Sequence, residues 1–183
     1  GSSSAFTVGL LNALYNYLGE EISKEKLAED ACNIEINRLK HPIGKQDQYA
    51  AVYGGINFYK FNEDDSVTVS PINLKAKNGE TLQNKLMMFY TGITRKANDI
   101  LSEQKKNTSN NIELLNIIKS QVYEVLATEE LTGEILLKGW NTKKHLAHGI
   151  NNELIEIELN NDVLKIDGEN AIAWSADLDF TVE

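Results

Sequence analysis

Gly1–Gly19 reads GSSSAFTVGLLNALYNYLG, a glycine and three serines running directly into a stretch of apolar periodicity. Val8, Leu11, Tyr15 and Leu18 recur at three- and four-residue steps, the spacing of one buried helical face, and Gly19 closes it. A helix N-terminus presents unpaired amides and a partial positive charge. Small residues there let an anion approach the backbone, so Gly1, Ser2, Ser3 and Ser4 form a candidate phosphate cradle. Serine hydroxyls also suit Mg2+, a hard cation that takes oxygen ligands and shares its shell with phosphates. The same residues fit two plainer readings, a helix cap and the remnant of an expression tag.

The bulk composition narrows the partners. The chain has 183 residues, 42% hydrophobic and 25% charged, which suffices for a globular domain with a core. Its 18 basic and 27 acidic residues give a net charge of −9, so a phosphate backbone would be repelled and nucleic acid is disfavoured. Apolar runs fall far short of the ~20 residues of a membrane helix, and no signal-peptide pattern is present. Cys32, alone of its type, has no internal disulfide partner and fits a reducing compartment. The expectation is a cytoplasmic protein acting on a small molecule, with no nucleic acid or membrane partner; oligomeric state is unreadable. Gly1 in place of methionine and the strand-like Thr181-Val182-Glu183 make both ends read as cuts.

Along the chain, Ser23 caps a second helix that carries Leu27, Ala31 and Ile34 toward Arg38, though Lys26 stands where a capping box needs an acid or amide. Pro42 and Gly44 end it. DQYAAVYGG predicts a short helix closing on Gly54-Gly55. INFYKF and SVTVS predict paired strands around Asp64-Asp65, with Pro71 breaking the second. KLMMFYTG predicts a buried strand ending at Gly92, followed by helices over 95–105, 112–127 and 131–147; KKNTSNN reads as a mobile loop between the first two. From residue 154 short β segments alternate with Asn-Asn-Asp, Asp-Gly-Glu-Asn and Ser-Ala-Asp turns, so the clearest break falls near 150–154.

Two acids stand out between the serines and the hairpin. Asp47 follows a Gly-Lys-Gln loop and opens a helix, where local amides hold a carboxylate while it faces a ligand. Glu35 lies on the preceding helix, so one acid is free to bind metal while the other orients or deprotonates a hydroxyl. In isolation an Asp here is a cap and a Glu here is a solvated face. Trp140, at helical spacing with Leu136 and Lys144, reads as packing before it reads as a sugar platform. His41, His145 and His148 show no zinc-ligand spacing.

Taken together, GSSSAFTVGLLNAL, GKQDQYAAVYGG, MFYTGITR and LLKGWNTKKHLAHGI resemble, in order, the GHMP kinases, nearest the D-glycero-D-manno-heptose 7-phosphate kinase and fucokinase-like branch. The resemblance implies ATP- and Mg2+-dependent phosphorylation of a hydroxyl on a sugar or sugar phosphate. It places the nucleotide phosphates on Gly1, Ser2, Ser3 and Ser4, the metal on Ser3 (or Ser2) and Glu35, the catalytic role on Asp47, and the border of the sugar pocket on Tyr90, Thr91 and Gly92. The implied fold is α+β, helices packed on a mostly antiparallel sheet. A partial kinase domain is expected over 1–150 and a β-rich segment over 151–183; LNNDVLKIDGENAIAWSADLDFTVE resembles the altered-inheritance-of-mitochondria family. The GHMP family's first strands and late glycine-rich segment have no counterpart in these residues, so impaired activity is expected of this piece. The alternative is a truncated or chimeric, non-catalytic polypeptide whose β-rich tail serves as an interaction module.

Overall fold

A computed structural model describes residues 2–75 and 97–147. The chain divides into two compact units, Gly1–Asn73 and Leu74–Glu183. KLMMFYTG and the β segments beyond 150 lie outside the described residues.

The first unit is a helical cluster with a β-hairpin. Helix α1 spans Ser2–Leu18 and α2 spans Lys24–Cys32. Helix α2 begins where the sequence predicts, with the Ser23 hydroxyl accepting from the Lys26 amide at 3.1 Å. A π-helix follows over Asn33–Arg38, then α3 over Gln46–Tyr53, which stops at Gly54 and Gly55 with φ of 64° and 65°. Two consecutive left-handed residues are cheap only for glycine, so the pair sends the chain out of the helix and into the sheet. Strands β1 (Asn57–Phe61) and β2 (Val67–Pro71) pair antiparallel, from Phe61 opposite Val67 to Asn57 opposite Pro71. Pro71 therefore ends β2 instead of breaking it, which a two-stranded sheet tolerates because its outer edges need no donor.

Two apolar clusters hold this unit together. Val8, Leu27 and Ala31 pack with Leu11, Tyr15, Ile22 and Val52, joining α1, α2 and α3. Ala28, Cys32, Tyr49 and Val67 pack with Ile36, Val52, Tyr53, Tyr59 and Val69, joining α2 and α3 to the hairpin. Ala28 and Ala31 are fully buried; having only a methyl group each, they let the neighbouring helices come close. Helix α1 is apolar on a second side as well, where Phe6, Leu10 and Leu14 are exposed, and Leu18, expected on the buried face, is exposed with them at the helix end.

In the second unit, α4 (Ala97–Lys106), α5 (Ile112–Thr128) and α6 (Gly133–Lys143) fall close to the expected spans. The Thr132 hydroxyl caps α6 at the Ile135 amide, which sets its start two residues later than periodicity alone suggests. The KKNTSNN stretch is ordered as a turn at Asn107 and a 3-10 helix over Thr108–Asn111, and Asn111 Nδ2 donates to the Leu146 carbonyl at 2.9 Å. Asparagine side chains reach backbone groups that an apolar-pattern reading does not consider. Helices with a small antiparallel sheet make the described residues α+β, as the sequence implies.

Two side chains in the first unit report its packing. Burial pushes the Cys32 thiol up to about 11. The thiolate is the reacting species, so in native protein at pH 8 Cys32 is expected to react with a disulfide reagent roughly 100-fold slower than in urea. Asp30 accepts from the Tyr15 hydroxyl at 2.7 Å and pairs with Lys26 at 2.6 Å. Partial burial acts to raise its pKa, but the hydrogen bonds from Lys26 and Tyr15 outweigh that and hold it below the ordinary 3.8. A depressed folded value gives stability that is present above the unfolded pKa and lost as pH falls through the folded one. Asp30→Asn is therefore expected to flatten the acid limb of the stability curve below about pH 4, read as urea midpoints between pH 3 and 6.

Candidate functional site

The site is built around a buried carboxylate. Beyond Cys32 the helix widens: the Leu39 amide donates to the Ile34 carbonyl and the His41 amide to that of Glu35, at 2.9 and 3.0 Å. Lys40, with φ of 57°, turns the chain out of this widened end. Such wide turns recur at functional positions. Here the turn carries Glu35, whose side chain is 1% exposed, into the interior of the first unit.

Its partner comes from α3. Gln48, 0% exposed, donates from Nε2 to Glu35 Oε2 at 2.5 Å. Glu35 Oε1 and Gln48 Oε1 are both buried without a hydrogen-bond partner among the described residues. An unpaired carboxylate oxygen in the interior is costly unless something positive meets it.

Asp47 directly precedes Gln48 and is exposed in the first turn of α3, where the helix dipole favours an anion. The approach to that turn is anchored: Lys45 Nζ reaches the Asp65 carbonyl at 2.6 Å and its Oδ1 at 2.7 Å, tying the GKQ loop to the hairpin turn. Tyr49 and Tyr53, stacked 6.1 Å apart, fix the opposite flank of α3.

The serines occupy the first turn of α1 instead of a loop ahead of it. Ser2 and Ser3 are exposed, while Ser4 is 1% exposed. Val8 of α1 packs in one cluster with Leu27 and Ala31 of α2. Glu35 and the helix that carries Asp47 are thus joined by a hydrogen bond, while Ser4 is buried at the start of α1. Gly1, Tyr90, Thr91 and Gly92 lie outside the described residues.

Gln48 is the site residue that sequence reasoning passed over, although GKQDQYAA contains it. Its signal was positional, since Gln48 shares the helical face of Tyr49 and Val52, which pack inward. Among the described residues no group of three or more His, Cys, Asp or Glu is arranged to hold a metal. Of the donors a cation could use, the described residues offer Glu35 Oε1 as an unpartnered carboxylate oxygen, the hard-oxygen type that Mg2+ takes.

In the second unit a cavity of about 370 Å³ lies between α5 and α6, lined by Val122, Val125, Leu131, Leu136 and Trp140 among others. Trp140 is half-buried there with Nε1 unpartnered among the described residues, and its apolar surroundings agree with a packing role.

The buried polar pair bears on stability in a testable way. Replacing a buried polar pair by apolar side chains of like volume is often neutral or stabilising, by up to ~4 kcal/mol. The double substitution Glu35→Met with Gln48→Leu is expected to leave the thermal midpoint at or above that of the unsubstituted protein; a lower midpoint would show that the pair holds the unit together.

Comparison with known proteins bears on this arrangement. Residues 1–55 match the family described as GHMP kinases N terminal domain. Over 163 residues the chain is 31% identical to D-glycero-alpha-D-manno-heptose 7-phosphate kinase of Campylobacter jejuni, covering 85% of this chain and 48% of that protein. The chain spans about half the length of the curated relative it matches. The likeness to the GHMP kinases read from the sequence is thus shown, and α1, the π-helix and α3 all fall within the matched N-terminal domain.

Proposed function

We propose that the full-length protein transfers the terminal phosphoryl group of ATP to a hydroxyl of a sugar or sugar phosphate, with a heptose 7-phosphate the first acceptor to test. The observation that carries this reading is the coincidence, within the 55 residues of the matched family domain, of a serine-led helix start, a buried carboxylate with one unpartnered oxygen and an exposed aspartate one residue from that carboxylate's partner. The name of the matched relative supports the choice of acceptor.

In this reading the kinase-like stretch runs over 1–150. The amides and hydroxyls at Gly1, Ser2, Ser3 and Ser4 receive the nucleotide phosphates. Ser3 and Glu35 would hold Mg2+, which when bound neutralises charge on the phosphates. Asp47 aligns the acceptor hydroxyl and takes its proton as the oxygen attacks. Tyr90, Thr91 and Gly92 border the acceptor. Positioning and fixed charge carry most of such a transfer, which suits a site assembled on helix ends instead of on a covalent nucleophile. In this reading the protein works where ATP and phosphorylated sugars are held, the cytoplasm.

Two measurements test the reading. Addition of a non-hydrolysable ATP analogue with Mg2+ is expected to protect the amides of residues 2–10 from hydrogen exchange; absence of protection at millimolar nucleotide would remove the phosphate cradle. Asp47→Asn in the full-length protein is expected to lower kcat with heptose 7-phosphate by about 100-fold or more while leaving nucleotide affinity within about twofold, since the side chain meets the acceptor and not ATP. Near-normal turnover would take Asp47 out of the mechanism.

A further inference from the structure

The buried amide of Gln48 does something the kinase reading does not itself require. It is fully buried, yet it engages Glu35 with one end only, leaving its own Oε1 and Glu35 Oε1 without partners among the described residues. A packing residue at this position would be apolar, like its neighbours Tyr49 and Val52. An amide that donates to a single carboxylate oxygen does two things. It stops rotation of the carboxylate, so that Oε2 is occupied and Oε1 is the buried oxygen left for a ligand. It also ties the π-helix to the first turn of α3, the turn that carries Asp47.

Resting on the reading above, we propose that Gln48 is a positioning residue that sets the ligand face of Glu35 and, through the peptide bond it shares with Asp47, the placement of Asp47 relative to it. One hydrogen bond then couples the metal-holding acid to the acceptor-orienting one. Groups that orient a metal ligand from behind typically contribute 10- to 100-fold in metal affinity.

The test uses Mn2+ in place of Mg2+, with a non-hydrolysable ATP analogue and the full-length protein, binding being followed by electron paramagnetic resonance. Four proteins are compared: the unsubstituted protein, Gln48→Met, Glu35→Gln and the double variant. Gln48→Met is expected to weaken Mn2+ by about 10-fold or more, and to weaken it no further in the Glu35→Gln background, because Gln48 acts through that carboxylate. A purely structural role for Gln48 gives the same loss in both backgrounds and overturns the proposal, as does unchanged affinity in Gln48→Met. Should Gln48→Met not fold by circular dichroism, Gln48→Asn replaces it, since the shorter amide stays polar but falls short of Glu35. If the unsubstituted protein shows no protein-bound Mn2+ signal with the nucleotide, the kinase reading itself fails and this inference with it, an outcome distinct from the two above.

Discussion

A carboxylate with almost no exposure is the constraint on which the first unit turns. Among the described residues the Glu35 side chain has a single hydrogen bond, given by Gln48 Nε2. Leaving a charge in such a place is unfavourable by several kcal/mol unless it is met by a donor or a cation. The elements around it are arranged to keep it there: a π-helix that turns it inward, an α3 whose approach is pinned by Lys45 to the hairpin, and a pair of helices brought close by Ala28 and Ala31. An arrangement that works against stability at one point while the neighbouring packing is ordinary is the pattern expected of a functional site.

The surroundings of that point are economical in chemistry. Hydroxyls stand at the start of α1, one acid sits within, and a second acid sits at the dipole-positive start of α3. All three are presented by helix termini or a widened turn, the places where a helix leaves backbone groups unpaired and where a negatively charged ligand is most readily met. The match of residues 1–55 to the N-terminal domain of the GHMP kinases covers this whole set. Helix α1, apolar on a second and exposed side through Phe6, Leu10 and Leu14, has the pattern of a helix made to be covered on two sides.

Much of the local structure was legible in the sequence because its causes are local. Ser23 caps α2 by its own hydroxyl, Gly54 and Gly55 end α3 because their backbone angles suit no other residue as well, and the alternation of INFYKF and SVTVS pairs the hairpin in one register. The candidate acids were legible for a different reason, the resemblance of GKQDQYAA and its companions to a family. The physical reading of either acid alone left a cap and a solvated face in contention. Glu35 refutes the second of these, for it is buried.

What the amino-acid order determined by itself is therefore the order and kind of α1 to α6 and of the hairpin, and that acids and hydroxyls bracket a loop. What only the tertiary structure decided is the widening of the helix at Asn33–Arg38, the burial of Gln48 and Glu35 against each other, and the inward turn of Ser4 beside exposed Ser2 and Ser3. Caps, turns and periodicity act within a few residues along the chain. A buried carboxylate exists only once another helix has come to meet it.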